Sequence, residues 1–109
     1  MATTYKVLGQ SNPSATTATT LYTVPSSTEA VVSTLVIANQ AATSGTYRIA
    51  VRPDAETLAA KHYLAYDISV PANSTHTYTL GLTVNAADVI TVYASSASMS
   101  FNAFGSEIA

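Results

Sequence analysis

The sequence contains no cysteine and few charged residues. Without cysteine the chain cannot form disulfides, carry out thiolate catalysis or hold zinc through sulfur. Charged residues make up 9% of the chain, against roughly 25% in an average soluble domain, and the net charge is −2. Four basic residues are too few for the clustered Lys and Arg that bind phosphates, so we expect no nucleic-acid partner. No stretch approaches the ~18 apolar residues of a membrane span, so we expect no membrane partner.

The sequence is rich in hydroxyl side chains. Thr and Ser together exceed a quarter of the 109 residues, which predicts a hydroxyl-rich and nearly neutral surface. The length suits one domain with a single core. Because weak self-repulsion lets copies pack side by side at little electrostatic cost, this composition favours a component of an assembly.

The central stretch predicts a pair of strands, Ala30–Asn39 and Thr46–Arg52, joined by the small residues Gln40–Gly45. The second strand alternates apolar and polar residues, as a strand with one buried face does. The first strand has apolar residues at both parities. We therefore expect its two faces to be covered, one of them by another part of this chain or by another protein chain.

Six further strands are predicted by period-2 alternation between turn residues, and Gly105 is expected to close the last of them. They are Tyr5–Gln10, Leu21–Val24, His62–Val70, Thr75–Val84, Val89–Ala94 and Ala97–Phe104. About eight short strands at this spacing predict an all-β fold, a two-sheet antiparallel β-sandwich of jelly-roll or immunoglobulin-like type. Periodicity does not distinguish the two topologies.

One short helical turn is predicted over Asp54–Lys61. Asp54 can cap the free N–H groups of Glu56 or Thr57, and the following alanines and leucine favour helix.

No catalytic constellation is present in the sequence, so we expect no enzymatic activity, no cofactor and no metal. His62 and His76 lack ligand spacing, and no serine lies in a nucleophile elbow. The seven tyrosines could stack on a sugar. Because Tyr47 and Tyr78 fall at apolar parities, we expect core packing for them instead, with the hydroxyl at the rim.

Arg48 and Arg52 lie on the same face of one predicted strand. Two alternatives stay open for them: ion pairing within the subunit to Asp67, Glu56 or Asp54, or contact with a neighbouring protein, where Arg is enriched.

Residues 1–20 are predicted to form an N-terminal arm and linker, followed by the β-sandwich domain over residues 21–109. A short strand on a Pro-containing Ser/Thr/Ala tether can pair with a free sheet edge of another chain. Tyr5, Val7 and Leu8 would then fill pockets on that chain. The alternative is that this strand completes its own sandwich.

Several segments in order carry a resemblance that spans nearly the whole chain: Lys6–Gln10, Thr20–Pro25, Tyr47–Pro53, Lys61–Asp67, Asp88–Ala94 and Phe104–Ile108. With them the sequence resembles small virion structural proteins of tailed bacteriophages, of the marine and cyanobacterial phage type. The resemblance implies a β-rich virion component that is made in the host cytoplasm and has no enzymatic activity.

Two locations in the virion are compatible with this resemblance. Small size, a lone domain and low charge favour a capsid decoration (cement) protein that binds the major capsid protein. A tail, fibre or baseplate module that binds a host receptor or glycan is the alternative. The apolar residues at both parities of Ala30–Asn39 predict a homo-oligomer, a trimer in the virion.

Overall fold

A computed structural model describes residues 2–109 of the chain and contains eight strands. They are β1 (Thr3–Ser11), β2 (Thr19–Thr23), β3 (Glu29–Asn39), β4 (Gly45–Arg52), β5 (Tyr63–Val70), β6 (Thr75–Val84), β7 (Val89–Ala94) and β8 (Met99–Ile108). The strands form two four-stranded antiparallel sheets, with orders β1-β8-β3-β6 and β2-β7-β4-β5. The predicted all-β, two-sheet sandwich is thus confirmed.

The strand order decides between the two topologies that the sequence left open. β4 pairs with β5, β3 with β6, β2 with β7 and β1 with β8, so the pairs are nested around the β4–β5 connection. This nesting is what results when one long hairpin is rolled into two sheets, and it defines the eight-stranded jelly roll.

The core lies between the two sheets and takes the inward side chains of all eight strands. Its largest fully buried members are Tyr47, Phe101, Ile37, Ile49, Ile90 and Met99. β1 lies against β2 and closes the sandwich on one side, whereas β5 and β6 leave the opposite side open.

A β-bulge in β3 explains why its apolar residues fall at both parities. Ala30 and Val32 face the core, the register with β8 shifts between Val32 and Thr34, and Leu35 and Ile37 then face the core again. The shift moves the buried set from even to odd positions, because one extra residue reverses the alternation. The outward Val31 stays half-buried, and no other part of residues 2–109 forms a layer over this outer face.

The helical turn predicted over Asp54–Lys61 is not continuous, although the helical turns that the structure describes lie at the two ends of this segment. The chain forms two separate 3₁₀ turns, Pro53–Ala55 and Ala60–His62, and Asp54 and Ala55 adopt positive φ angles of 54° and 56°. The Asp54 side chain does not cap a helix. Its backbone N–H instead donates to Asp88 Oδ1 at 2.8 Å, which ties this segment to the β6–β7 turn.

Gly105 was predicted to close the last strand, but β8 continues to Ile108. A Cβ placed on Gly105 would lie 1.9 Å from the carbonyl oxygen of Val31 on β3. Glycine therefore serves close approach of two strands at this position rather than a turn.

The N-terminal segment is part of the sandwich in this chain. β1 pairs with β8 from Thr3 to Ser11, and the tether after it is held in place: Asn12 Nδ2 donates to the Met99 carbonyl at 2.6 Å. The alternative in which the strand completes its own sheet thus describes the isolated chain. Exchange of the strand between chains stays a prediction, and Met1 of the predicted arm lies outside the described residues.

Candidate functional site

The two histidines have structural partners. His62 is buried; its Nδ1 accepts from the Ala59 N–H at 2.9 Å, and its Nε2 lies 3.2 Å from Glu56 Oε1. His76 Nδ1 lies 3.1 Å from the Tyr47 hydroxyl. Between Ala2 and Ala109 the structure shows no group of three or more side chains placed to hold a metal ion. The same residues include no helix long and apolar enough to span a membrane.

Tyr47 anchors a cluster of rings inside the sandwich. Its side chain is fully buried and meets Phe101 edge-to-face at 6.2 Å between ring centres. Its hydroxyl is hydrogen-bonded to Tyr78 and to His76. Burial raises the pKa of Tyr47, so the phenol stays neutral. Core packing is confirmed for Tyr47 and for the partly buried Tyr78, whereas the hydroxyl of Tyr47 is buried and does not lie at the rim as predicted.

An apolar patch lies on the outer face of the β1-β8-β3-β6 sheet. We define it by Tyr5, Val7, Val31 and Phe104. Phe104 sits opposite Val7 in the β1–β8 ladder, so the two side chains share one face of the sheet. Tyr5 is 84% exposed, Val7 46% and Phe104 36%, which leaves three large side chains of one sheet face in water.

Two of the three N-terminal residues predicted to contact a partner belong to this patch. Tyr5 and Val7 point to solvent, whereas Leu8 is buried in the core of its own sandwich. Leu8 is therefore not accessible to another protein while β1 occupies its own sheet. Phe104 was not predicted as a contact residue, and Val31 was predicted only as part of the strand with apolar residues at both parities. The strand register alone shows that both lie beside the N-terminal strand.

A polar link joins the two sheets beside the patch. Glu107 of β8 accepts from the Tyr22 hydroxyl of β2 at 2.5 Å and from Lys6 Nζ of β1 at 3.2 Å. The hydrogen bond from Tyr22 and the charge of Lys6 lower the pKa of Glu107, although partial burial opposes this. The carboxylate thereby fixes the edge of the sheet that carries Tyr5 and Val7.

The outer face of the second sheet carries an arginine–tyrosine cluster, defined by Arg48, Tyr63, Tyr66, Asp67 and Tyr93. Arg48 Nε donates to Asp67 Oδ1 at 2.7 Å, and this hydrogen bond raises the pKa of the guanidinium. The guanidinium carbon lies 4.2 Å from the ring centre of Tyr66 and 4.1 Å from that of Tyr93. Such stacking on two rings is a cation–π arrangement.

A bulge in β5 brings Tyr66 into this cluster. Asp67 has a φ of 53°, and the β4–β5 register shifts between Tyr47 and Ile49. Tyr66 and Asp67 therefore both lie against Arg48 on the outer face. Tyr66 also meets Tyr63 edge-to-face at 4.9 Å, and the two rings border a shallow depression lined further by Leu58, Ala59 and Ala60.

Arg52 has a different role from Arg48. Its Nε donates to Thr91 Oγ1 at 3.1 Å and its Nη1 to the Glu56 carbonyl at 3.0 Å. Arg48 forms an ion pair within the subunit, with Asp67, as one of the two alternatives predicted. Arg52 holds the loop after β4. A contact of either arginine with a neighbouring protein stays a prediction.

The open side of the sandwich forms a third surface, an apolar groove between β5 and β6. Its lining consists of Ile49, Leu64, Ala65, Tyr78, Leu80 and Leu82, and its volume is about 240 Å³. Leu64 and Leu80 are half exposed there.

No protein-family model matches the sequence, and no curated protein shows significant similarity to it. We therefore infer function from the three surfaces and from the resemblance described above.

Proposed function

We propose that the chain is a non-enzymatic structural protein of a bacteriophage virion, a capsid decoration protein that binds and stabilises the major capsid lattice. The observation that carries the proposal is the apolar patch of Tyr5, Val7, Val31 and Phe104. Exposed apolar side chains grouped on one rigid face are typical of contact surfaces between proteins. The proposed site is the virion surface, and the proposed copies form a homo-oligomer, a trimer on the particle.

The geometry of the patch suits a flat, lasting contact. Its residues lie on three neighbouring strands of one sheet, so their positions are fixed by the hydrogen-bond ladder. The patch contains no charge of its own, and the nearest cation, Lys6, is paired with Glu107. Binding there would require little desolvation of charged groups, which favours burial against another apolar surface.

Binding of the purified chain to purified capsids tests this proposal. We expect saturation at a fixed number of copies per capsid. Tyr5→Ser should weaken that binding, because truncation of an exposed tyrosine anchor commonly costs more than about 1 kcal/mol of binding free energy. Tyr66→Ser on the opposite face is the matched control and should bind capsids as the wild type does. Equal binding by Tyr5→Ser and wild type would contradict the use of the patch.

A second candidate function is favoured by the arginine–tyrosine cluster. Tyrosine rings beside a depression are a surface on which a sugar can stack, and this supports a tail, fibre or baseplate module that binds a host glycan or receptor. The same two variants separate the functions. A tail module predicts that Tyr66→Ser loses binding to host cells while Tyr5→Ser keeps it. A decoration protein predicts no saturable binding to host cells by either variant.

A further inference from the structure

Four strands lie at the edges of the two sheets, and three of them are protected. β1 lies against β2 and carries the Lys6–Glu107 ion pair, and β2 has only five residues. β5 is interrupted by register shifts and carries Asp67 in an ion pair with Arg48. Short length, bulges and charges are the devices that keep sheet edges from pairing with other chains.

β6 is the edge strand without these protections over most of its length. It has ten residues, contains no proline, and belongs to a segment between Asp67 and Asp88 that has no Asp, Glu, Lys or Arg. Its one irregularity is a bulge at Leu80 and Gly81. Before that bulge, Thr75–Thr79 pairs with β3 in unbroken register.

The hydrogen-bond pattern shows which backbone groups of β6 face outward. The Asn39 N–H donates to the Ser74 carbonyl at 2.8 Å, which fixes the phase of the β3–β6 ladder. Because hydrogen-bonded pairs alternate along antiparallel strands, His76 and Tyr78 point their backbone groups to β3. Thr75, Thr77 and Thr79 then present their N–H and C=O groups at the free edge.

We infer that β6 pairs antiparallel with β6 of a second copy of this chain, with Thr77 at the two-fold axis. In this register Thr77 lies opposite Thr77 of the other copy, and Thr75 lies opposite Thr79. All three outward residues then exchange hydrogen bonds, so the edge is complementary to itself, as a two-fold contact requires. Two copies build one continuous eight-stranded sheet.

Side chains on both faces of β6 support its pairing with a second copy of this chain. On the outer face the threonines at positions 75, 77 and 79 meet threonines across the axis, a pair type that favours antiparallel strands. The axis is perpendicular to the sheet, so the second sheets of both copies lie on the same side. The apolar groove of one copy, with Leu64 and Leu80, then faces that of the other. This two-fold contact is separate from the trimer proposed on the particle and would join such trimers.

Cysteine cross-linking tests the register directly, since the chain has no cysteine of its own. In Thr77→Cys the two Cα atoms should lie about 5.5 Å apart, a separation that a disulfide spans. Thr83→Cys is the matched control: it replaces the same residue type on the same strand and face, six residues from the axis, so its sulfurs lie roughly 40 Å apart. We expect mild oxidation to give a covalent dimer of Thr77→Cys and none of Thr83→Cys.

The free protein provides the second readout. Sedimentation should show a species of twice the 11.3 kDa chain mass. Thr77→Lys places like charges directly opposite each other and should raise the dimer dissociation constant about tenfold or more, whereas Thr83→Lys should leave it unchanged. A wild type that is monomeric at all concentrations, an oligomer indifferent to Thr77→Lys, or equal cross-linking of both cysteine variants would overturn the inference.

Discussion

At the residue scale, two buried or half-buried polar groups hold the sandwich together from inside. Tyr47 joins the β4 side of the core to β6 through His76 and Tyr78, and Glu107 joins β8 to β2 through Tyr22. Each group satisfies hydrogen bonds that burial would otherwise leave unmade, so each makes a measurable contribution to the free energy of unfolding.

Removal of the Tyr47 hydroxyl should cost stability without changing the fold. Tyr47→Phe keeps the ring packing and loses the hydrogen bonds to His76 and Tyr78, for a loss of about 1 kcal/mol in the free energy of unfolding. Tyr47→Ala should cost about 3–5 kcal/mol because it also leaves a cavity. Urea unfolding measures both. Tyr5→Phe on the exposed patch is the control. If it lowers the free energy of unfolding as much as Tyr47→Phe does, the stabilising role given to the Tyr47 hydroxyl is contradicted.

The lowered pKa of Glu107 predicts loss of stability in acid. The Glu107 carboxylate binds a proton less readily in the folded state than in the unfolded chain, where its pKa has the ordinary value of 4.5. The stabilisation is therefore present above about pH 4.5 and is lost as pH falls through the lower folded pKa. Tyr22→Phe removes the donor that lowers this pKa most and should flatten the decline.

Unfolding curves recorded from neutral pH down to about pH 3 measure that decline. Tyr5→Phe, which removes the hydroxyl of an exposed tyrosine, serves as the control and should keep the acid dependence of the wild type. An unchanged slope in Tyr22→Phe would contradict the role given to the Tyr22–Glu107 hydrogen bond.

At the element scale, β-bulges decide which side chains face the core. They reverse the alternation in β3 after Val32, lift Tyr66 and Asp67 outward in β5, and interrupt β6 at Gly81. A bulge has no fixed sequence signature, so the alternation alone could not place these side chains. Isolated glycines within strand patterns, Gly9 in β1 and Gly81 in β6, were the signals present in the sequence.

Strand positions were largely predictable, whereas the loop after β4 was not. Thr75–Val84 and Val89–Ala94 have the bounds predicted, because clean alternation there ends at turn residues on both sides. The segment after Pro53 contains good helix formers, yet Asp88, Arg52 and His62 draw its backbone groups into other hydrogen bonds. The arginine–tyrosine cluster and the apolar patch needed the strand register, which sequence periodicity does not supply.

Two glycine substitutions distinguish a loss of stability caused by a steric clash from one caused by backbone strain. Gly105→Ala forces β3 and β8 apart, because its Cβ would meet the Val31 main chain, and should cost about 3 kcal/mol or more. Gly81→Ala has open space but a φ of 68°, so about 1–2 kcal/mol is expected from backbone strain. Thermal or urea unfolding ranks them. A milder effect at Gly105 than at Gly81 would contradict the close packing of these strands.

Deletion of residues 1–10 tests whether the N-terminal strand is structure or arm. The sandwich loses an edge strand and the buried Leu8, so we expect a lower melting temperature or aggregation. Differential scanning calorimetry measures this. A folded deletion variant with an unchanged melting temperature that no longer joins the particle would instead establish the predicted arm.

At the scale of the whole molecule, the chain is a jelly roll with different surfaces on its two sheets. The jelly roll occurs in viral capsid domains and in lectins, so the fold is compatible with both candidate functions and assigns neither. The surfaces distinguish them: an apolar patch on one sheet suits a protein lattice, and an arginine–tyrosine cluster on the other suits a glycan. The free edge of β6 is the contact that we infer between copies.

The position of the chain on intact virions tests the central claim most directly. Under the proposed function, a gold-labelled chain located by cryo-electron microscopy of bacteriophage virions that contain it should decorate the capsid surface at a fixed number of copies per capsid protein. Because the apolar patch is proposed to bind the capsid, we expect the outer face of the β1-β8-β3-β6 sheet to point to the shell. Label confined to the tail, fibre or baseplate, or absent from the particle, would contradict the account.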